Sequence, residues 1–305
     1  MYKGEISDPK LVLQTEMQVG AEEIQCAVTH SAFFLNQPTG ARYWVPAKGL
    51  LLTVERENGE TVSMDDSSLN EDNAMLHVPL ATPLQAGEEV RIRATHPDYP
   101  AVSAADTIVP MPEFSVASCN WDSVNRECRL RLVFGDNADF HGIMGVKGML
   151  CHTEKYNWQG RETYNTYYSH AIASKDNVFF GMGNSFSSER GYNTLSELFF
   201  RADDARNKEI DVTLMVQYQT GNRSQFRQDS VQITVTAHST HSYQYKKSLY
   251  SYFGATGSDD SDVEELFSDI IGIEEKVQLY SNVKDGYGIV AGNSKNIQTI
   301  IIKAQ

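Results

Sequence analysis

A chain of 305 residues is too long for one small core, and we expect it to form two domains of ordinary size. Its 26 basic and 40 acidic side chains leave a formal charge of −14, which repels phosphate backbones and argues against DNA or RNA as a partner. The hydrophobic fraction of 41% supports folded cores, and the dispersed acidic residues exclude a disordered acidic tail.

Short alternating or β-branched stretches with turn signals between them dominate the first part of the chain. The third stretch contains Asn58 and Gly59, which predict a tight hairpin turn because glycine adopts positive φ angles without strain. The last stretch follows a polar turn at Gly87 and alternates apolar with charged residues, so one of its faces should contact water. This pattern predicts an immunoglobulin-like or transthyretin-like β-sandwich. The stretches are residues 10–18, 23–33, 49–64, 74–80 and 89–94.

Two prolines within three residues, Pro110 and Pro112, remove two backbone donors and cannot lie in the middle of a sheet. We therefore place the domain boundary here, with an N-terminal β-sandwich at residues 1–112 and a larger C-terminal β-rich domain at 113–305. The second domain is expected to be an antiparallel sandwich or barrel. Its predicted strands are residues 115–119, 127–134, 142–152, 162–172, 177–181, 211–218, 230–237 and 297–302.

The last two long alternating segments of the second domain, 211–218 and 230–237, are predicted to pair with each other as antiparallel strands. The closing segment at 297–302 is predicted to be a buried strand. Aromatic and leucine side chains at helical spacing predict one helix near residues 242–253 that packs over the sheet, with a serine or threonine just before it as the N-cap. A second short helix is expected near residues 263–270.

The four cysteines are too few for a disulfide scaffold and lack the close spacing of a structural zinc site. Cys119 and Cys128 flank a polar segment, and a hairpin there would bring them face to face across two strands. A disulfide and a pair of separate buried thiols remain the two alternatives.

We find no nucleophile elbow, zinc-binding histidine pair or phosphate-binding glycine loop. His238 and His241 are the closest histidines, and they are interpreted as capping or surface residues rather than a metal pair. The acidic groups at residues 65–72 and 259–265 lack the frame of a calcium-binding loop, so they are interpreted as solvated loops. The sequence therefore predicts no catalytic residue, no metal and no cofactor.

Aromatic side chains provide the best candidate for a binding surface. Rings placed among amide and charged groups are typical of glycan or peptide recognition. The alternative is that these rings pack into the sheet or cover one of its edges. The candidate residues are Tyr156, Trp158, Tyr164, Tyr167 and Tyr168.

Near the C-terminus, the pattern YSN-x-x-x-G-x-G runs from Tyr280 to Gly288. Gly286 and Gly288 permit backbone angles that are closed to other residues, and Asn282 can hydrogen-bond to the main chain. Together with residues 107–110, 198–204 and 243–249, this pattern resembles a family of Bacteroidota lipoproteins, domain of unknown function four-two-four-nine. Its members are often encoded beside TonB-dependent outer-membrane receptors.

The resemblance implies a lipid-anchored protein of the periplasm or outer membrane that helps a receptor to import a nutrient, and it identifies no active-site residue. Family members usually begin with a signal peptide that ends in a lipid-modified cysteine. No apolar leader and no cysteine precede Cys26 here, so we expect that the export signal and the anchor were removed. The membrane would be reached only through that anchor.

The leading hypothesis is a non-enzymatic envelope lipoprotein that acts as an accessory or binding module. A structural or adhesive surface subunit is the first alternative, and an exposed sheet edge with self-association would distinguish it. A hydrolase with an unrecognised site in the C-terminal domain is the second alternative. A deep pocket with paired carboxylates, or a histidine with a shifted pKa, would distinguish that one.

Overall fold

The computed structural model describes residues 9–31, 49–68, 75–122, 124–137, 139–180, 197–216, 225–256 and 279–302. Within those residues the chain forms seventeen strands and two α-helices, which confirms the prediction of a mainly β protein. Neither of these two helices is long and apolar enough to cross a membrane.

The strands alternate buried and exposed side chains along most of their length, as expected of sheets that pack on one face. In chain order they are β1 (Leu11–Met17), β2 (Glu23–His30), β3 (Leu51–Arg56), β4 (Thr61–Asp65), β5 (Met75–Pro79), β6 (Glu89–His96), β7 (Tyr99–Thr107), β8 (Phe114–Asp122), β9 (Glu127–Phe134), β10 (Ile143–Trp158), β11 (Arg161–Ser169), β12 (Ala171–Ala173), β13 (Phe179–Phe180), β14 (Leu198–Arg201), β15 (Glu209–Met215), β16 (Gln225–His238) and β17 (Tyr287–Ile301). The helices are α1 (Ala202–Ala205) and α2 (Thr240–Thr256).

The chain divides into two compact units, and both contain segments that are distant in sequence. The first unit comprises the described residues of Met1–Pro110, His238–Tyr252 and Glu275–Ser294. The second comprises those of Met111–Ala237, Phe253–Glu274 and Lys295–Gln305.

The first unit is a sandwich of two sheets, one with the order β5-β2-β1-β17 and one with the order β4-β3-β6-β7. Both sheets contribute to a single core, in which Leu13 and Val28 of the first sheet join Leu52 and Ile92 of the second. Each of these side chains is fully shielded from solvent. Removing such apolar area from water stabilises the fold by roughly 1.5–3 kcal/mol per side chain. The predicted N-terminal β-sandwich is confirmed.

The hairpin between β3 and β4 forms as predicted. Glu55 pairs with Thr61, and Gly59 supplies a φ of +87° in the turn between them. Strand β6 also follows its turn as predicted, with Ile92 buried and Arg91 exposed on the opposite face. Local turn chemistry therefore fixes the register of these strands.

The second unit is also built from two sheets. One has the order β13-β14-β10-β16-β17, with β11 paired to β10, and the other has the order β12-β15-β9-β8. Phe134 of β9 lies edge-on to Phe200 of β14, with ring centroids 5.1 Å apart, so both sheets contribute to the same core. A Cβ atom at Gly148 would lie 2.1 Å from the Leu214 side chain, so a larger residue would force Leu214 to move where β10 and β15 face each other.

The predicted pairing of residues 211–218 with 230–237 is wrong. β15 pairs with β9 and β12, whereas β16 belongs to the other sheet, between β10 and β17. Alternation of side chains sets which face of a strand is buried, but it does not choose the neighbouring strand. The predicted closing strand starts earlier, at Tyr287, and its last isoleucines are not buried, since Ile297 is 55% and Ile301 77% exposed.

Helix α2 confirms the helix predicted near residues 242–253. The Ser239 hydroxyl accepts a hydrogen bond of 3.0 Å from the Ser242 backbone N–H, which makes Ser239 the N-cap. The helix expected near residues 263–270 lies outside the described residues.

The sequence predicts two contiguous domains that meet between residues 112 and 113. In the structure, two segments from the C-terminal half of the chain, residues 238–252 and the described part of 275–294, belong to the first unit. The start of α2 is bound to β7 through Ser239 and Asp106, and β17 pairs in parallel with β1. Parallel neighbours need a long connection, so the partner of β1 comes from the far end of the chain. Strand β17 itself contributes residues 287–294 to the first unit and 295–301 to the second.

Candidate functional site

The aromatic residues selected from the sequence lie in the β10–β11 hairpin of the second unit. The two strands pair from Leu150 opposite Ser169 to Trp158 opposite Arg161. The two-residue turn between them has a positive φ at Gln159 (52°) and at Gly160 (80°). Two consecutive positive φ angles match the type I′ turn, whose twist suits a two-residue hairpin.

One face of this hairpin carries exposed tyrosines. On β11, Tyr164 is 60% exposed and Tyr168 is 54% exposed, with the exposed Thr166 between them. The register places Lys155 opposite Tyr164 and Thr153 opposite Thr166. We call these five residues the aromatic face.

Polar contacts hold the aromatic face in place. The Lys155 Nζ lies 5.9 Å from the centroid of the Tyr164 ring and 2.5 Å from a Glu162 carboxylate oxygen. The Glu162 carboxylate raises the pKa of Lys155, with a smaller contribution from Tyr164, so the lysine stays protonated beside the ring. The Thr153 and Thr166 hydroxyls lie 3.3 Å apart.

The arrangement offers two apolar ring surfaces with a cation and two hydroxyls beside them. Along a strand, residues four apart are separated by about 13 Å, so Tyr164 and Tyr168 suit an extended ligand rather than a compact one. Ring planes contact apolar C–H faces, while Lys155 and the threonines supply hydrogen bonds.

Tyr167 does not share the aromatic face. It lies on the opposite face of β11 and stacks on the buried His152, with ring centroids 5.6 Å apart and planes 22° apart. Its hydroxyl accepts a hydrogen bond from the Asn165 amide at 3.2 Å. Tyr156 and Trp158 lie on β10, opposite Thr163 and Arg161, and their side chains lie outside the described residues.

Sequence reasoning missed the three polar members of the aromatic face, Thr153, Lys155 and Thr166. A usable signal was present, because a two-residue turn at Gln159 and Gly160 fixes the register of the hairpin. Counting outward from that turn pairs Lys155 with Tyr164, and the period of two separates Tyr164 from Tyr167.

A buried polar cluster in the first unit is a second place where chemistry-bearing residues meet. The Asp106 carboxylate accepts hydrogen bonds from the Ser239 hydroxyl, from the Gly292 N–H at 2.8 Å and from the Thr107 N–H at 2.9 Å. His238 Nδ1 lies 2.9 Å from the Ser242 hydroxyl. These residues connect β7, β17 and the start of α2.

The YSN-x-x-x-G-x-G pattern shapes the backbone of the first unit. The Asn282 side chain donates to the Val290 carbonyl at 2.8 Å and accepts from the Val290 N–H at 3.0 Å. These are the two hydrogen bonds that Val290 would make with a residue of a paired strand. Gly288 has a φ of +106°, and a Cβ there would lie 1.9 Å from the Leu13 carbonyl oxygen. The predicted roles of Asn282 and Gly288 are confirmed. Gly286 does not have the predicted positive φ; a Cβ there would instead lie 2.6 Å from the Leu11 carbonyl oxygen.

Tyr280, the first residue of that pattern, is tied to helix α2. Its hydroxyl lies 2.5 Å from His241 Nδ1, and its N–H donates to the Ser248 hydroxyl at 2.9 Å. Burial raises the pKa of Tyr280, and the charge of Asp106 raises it further. The pattern therefore positions α2 and β17.

Among the described residues, no group of three or more histidine, cysteine, aspartate or glutamate side chains is arranged to bind a metal ion. His238 and His241 each contact a hydroxyl group instead. Asp65 accepts hydrogen bonds from Ser67, and Asp66 accepts one from the Gly49 N–H. The acidic group at 259–265 lies outside the described residues.

Comparisons with known proteins give one match over nearly the whole chain. A family model described as Domain of unknown function (DUF4249) matches residues 2–298. No curated protein matches the sequence.

Two solved structures show a distant similarity. One, described as "Cytokine receptor complex - Crystal form 2", is 8% identical with a TM-score of 0.26, over 74% of this chain and 89% of that one. A two fibronectin type-III domain segment from chicken tenascin is 11% identical with a TM-score of 0.21, over 76% of this chain and 91% of that one. At these TM-scores neither similarity bears on the fold or the function.

Proposed function

The chain belongs to the family described as Domain of unknown function (DUF4249), and from this membership we propose that it is a non-enzymatic binding module of the bacterial cell envelope. In this proposal it is a lipoprotein that assists a TonB-dependent outer-membrane receptor in nutrient uptake. Its ligand is an extended glycan, held on the aromatic face of the β10–β11 hairpin.

The observation that carries this proposal is the exposure of Tyr164 and Tyr168 on a regular pair of strands. The two residues are 60% and 54% exposed, although tyrosine buries a large apolar surface when it packs. Lys155 and two threonines lie beside the rings, which gives apolar planes and hydrogen-bonding groups on one face. Each ring contact with a ligand is worth about 1 kcal/mol, so the loss of both rings should weaken binding by at least about tenfold.

The double variant Tyr164→Ala/Tyr168→Ala tests the proposal. We expect binding to a glycan array to fall at least about tenfold, because both apolar planes are lost. In this proposal the receptor contacts another surface, so recovery of a TonB-dependent receptor from outer-membrane extracts should remain. The thermal unfolding temperature should change by less than about 2 °C, since both side chains are exposed.

Tyr287→Ala is the matched control, because Tyr287 is also exposed and also lies beside a lysine, with the Lys10 Nζ 5.6 Å from its ring. It should leave glycan binding unchanged. Equal glycan binding by the wild type and the double variant would contradict the assignment of the site. A wild-type protein that recovers no receptor and only copies of itself would favour the adhesive alternative. β11, which pairs only with β10 among the described strands, would then be the edge to examine.

A further inference from the structure

Two cysteines of the second unit approach each other across the β8–β9 hairpin. Cys119 lies opposite Leu130, and Cys128 lies opposite Trp121, so the two cysteines are diagonal neighbours on the same face. Their sulfur atoms are 3.2 Å apart, and neither cysteine forms a disulfide in this structure. A disulfide bond is about 2.05 Å long, so a shift of roughly 1 Å would allow the bond to form.

The surroundings of the two thiols differ in a way that gives them separate roles. Cys119 is partly exposed, whereas Cys128 is fully buried, so a reagent in solution reaches Cys119 first. The hydrogen bond from Cys128 lowers the pKa of Cys119, which favours the thiolate that attacks disulfides. By contrast, burial raises the pKa of Cys26 to about 11, which makes Cys26 unreactive.

We propose that Cys119 and Cys128 are a redox-active pair that closes to a cross-strand disulfide by exchange with a small-molecule disulfide such as oxidised glutathione. The Cys119 thiolate attacks one sulfur of the reagent, bonds to it and expels one glutathione thiolate. Cys128 then attacks the Cys119 sulfur and expels the second glutathione thiolate, which takes up the Cys128 proton as it leaves. Two protein thiols are oxidised, and one reagent disulfide is reduced to two thiols.

This inference does not depend on the proposed function, because it rests on the positions of the two sulfur atoms. The bond would close a short loop around the turn of the β8–β9 hairpin and restrict the unfolded chain. We therefore expect the oxidised protein to unfold roughly 5 °C above the reduced protein.

The full chain should be equilibrated, without oxygen, in mixtures of reduced and oxidised glutathione. The remaining thiols are then alkylated, and the mass of the intact protein is measured by mass spectrometry. We expect two of the four thiols to disappear together as the mixture becomes more oxidising. Peptide mapping should then link Cys119 to Cys128. Cys26→Ala and Cys151→Ser are matched controls and should form the same bond.

Single variants separate the two steps. In Cys128→Ser, Cys119 should accumulate as a mixed disulfide with glutathione, since no second thiol completes the exchange. In Cys119→Ser, the buried Cys128 should stay reduced. The proposal is overturned if all four thiols survive the most oxidising mixture, if the wild-type chain stops at the mixed disulfide, or if the mapped bond includes Cys26 or Cys151.

Discussion

Arg56 is a charged residue within the core of the first unit. Its guanidinium donates to both oxygens of Glu88, at 2.6 and 2.8 Å, and also to Glu60 and to the Thr82 carbonyl, each at 2.6 Å. Its place in the alternation of β3 puts it on the same face as the buried Val54. A buried cation is tolerated only when such partners surround it, so the pair with Glu88 is expected to be sensitive to change.

Glu88→Gln removes the carboxylate that accepts two hydrogen bonds from Arg56, so the buried cation keeps only Glu60 as a charged partner. We expect the free energy of unfolding to fall by about 3 kcal/mol in urea denaturation followed by circular dichroism. Glu89→Gln is the control, because the Glu89 carboxylate lies 3.2 Å from Arg91 at the surface. Glu89→Gln should change the free energy of unfolding by less than about 0.5 kcal/mol. Similar losses in both variants would mean that the buried pair is no more important than the surface pair.

The same pair makes stability depend on pH. The hydrogen bonds from Arg56 hold the pKa of Glu88 below its ordinary value. A carboxyl with a lowered pKa in the folded state stabilises the protein fully above its unfolded pKa, about 4.3, and loses that contribution as the pH falls through the folded pKa. Between about pH 5 and pH 3, wild-type stability should therefore fall more steeply than that of Glu88→Gln.

At the scale of elements, the last strand depends on glycine at position 288. Its φ of +106° strains any residue with a side chain, and a Cβ would collide with the Leu13 carbonyl of the neighbouring β1. We expect Gly288→Ala to lower the free energy of unfolding by at least about 3 kcal/mol, or to leave the protein insoluble.

Gly59 is the control for this prediction. It also has a positive φ, +87°, but a Cβ atom added there would meet no other atom within 4 Å. Gly59→Ala should lower the free energy of unfolding by only about 1 kcal/mol. Thermal unfolding of both variants, with hydrogen exchange at the β1 amides, measures the difference. Equal effects would mean that the contact between β1 and β17 tolerates a side chain.

Strand positions and turns were predictable because they depend on local pattern. The turn at Gly59 and the helix cap at Ser239 follow from the chemistry of single residues. Strand partners were not predictable in the same way, since an alternating segment fits any neighbour. The parallel pairing of β1 with β17 joins the two ends of the chain, and no local signal specifies it. For the candidate site, composition identified the tyrosines, and only the hairpin register separates Tyr164 from Tyr167.

At the scale of the whole molecule, the first unit is completed by the C-terminal part of the chain. Val283 and Val290 belong to its core, and Gly292 donates a hydrogen bond to Asp106. A polypeptide of residues 9–112 lacks these groups and the neighbour of β1. We expect it to show no cooperative thermal transition by circular dichroism, because its core and one sheet edge are incomplete.

Adding residues 225–302 as a second polypeptide is the control for that truncation, and it should restore a transition if the missing strand and helix are the cause. A cooperative transition in the 9–112 polypeptide alone would show that α2 and β17 are dispensable for this unit.

The parallel pairing of β1 with β17 also governs the order of events as the protein is made. Val12 lies opposite Tyr287, so the partner of β1 leaves the ribosome long after β1 itself. Contacts between such distant segments form slowly, since a long loop must close before they stabilise anything. Until then β1 presents an unpaired edge that other chains can bind. The first unit therefore cannot complete its fold until β17 has been made, and a chaperone that shields its N-terminal strands during synthesis should raise the yield of folded protein.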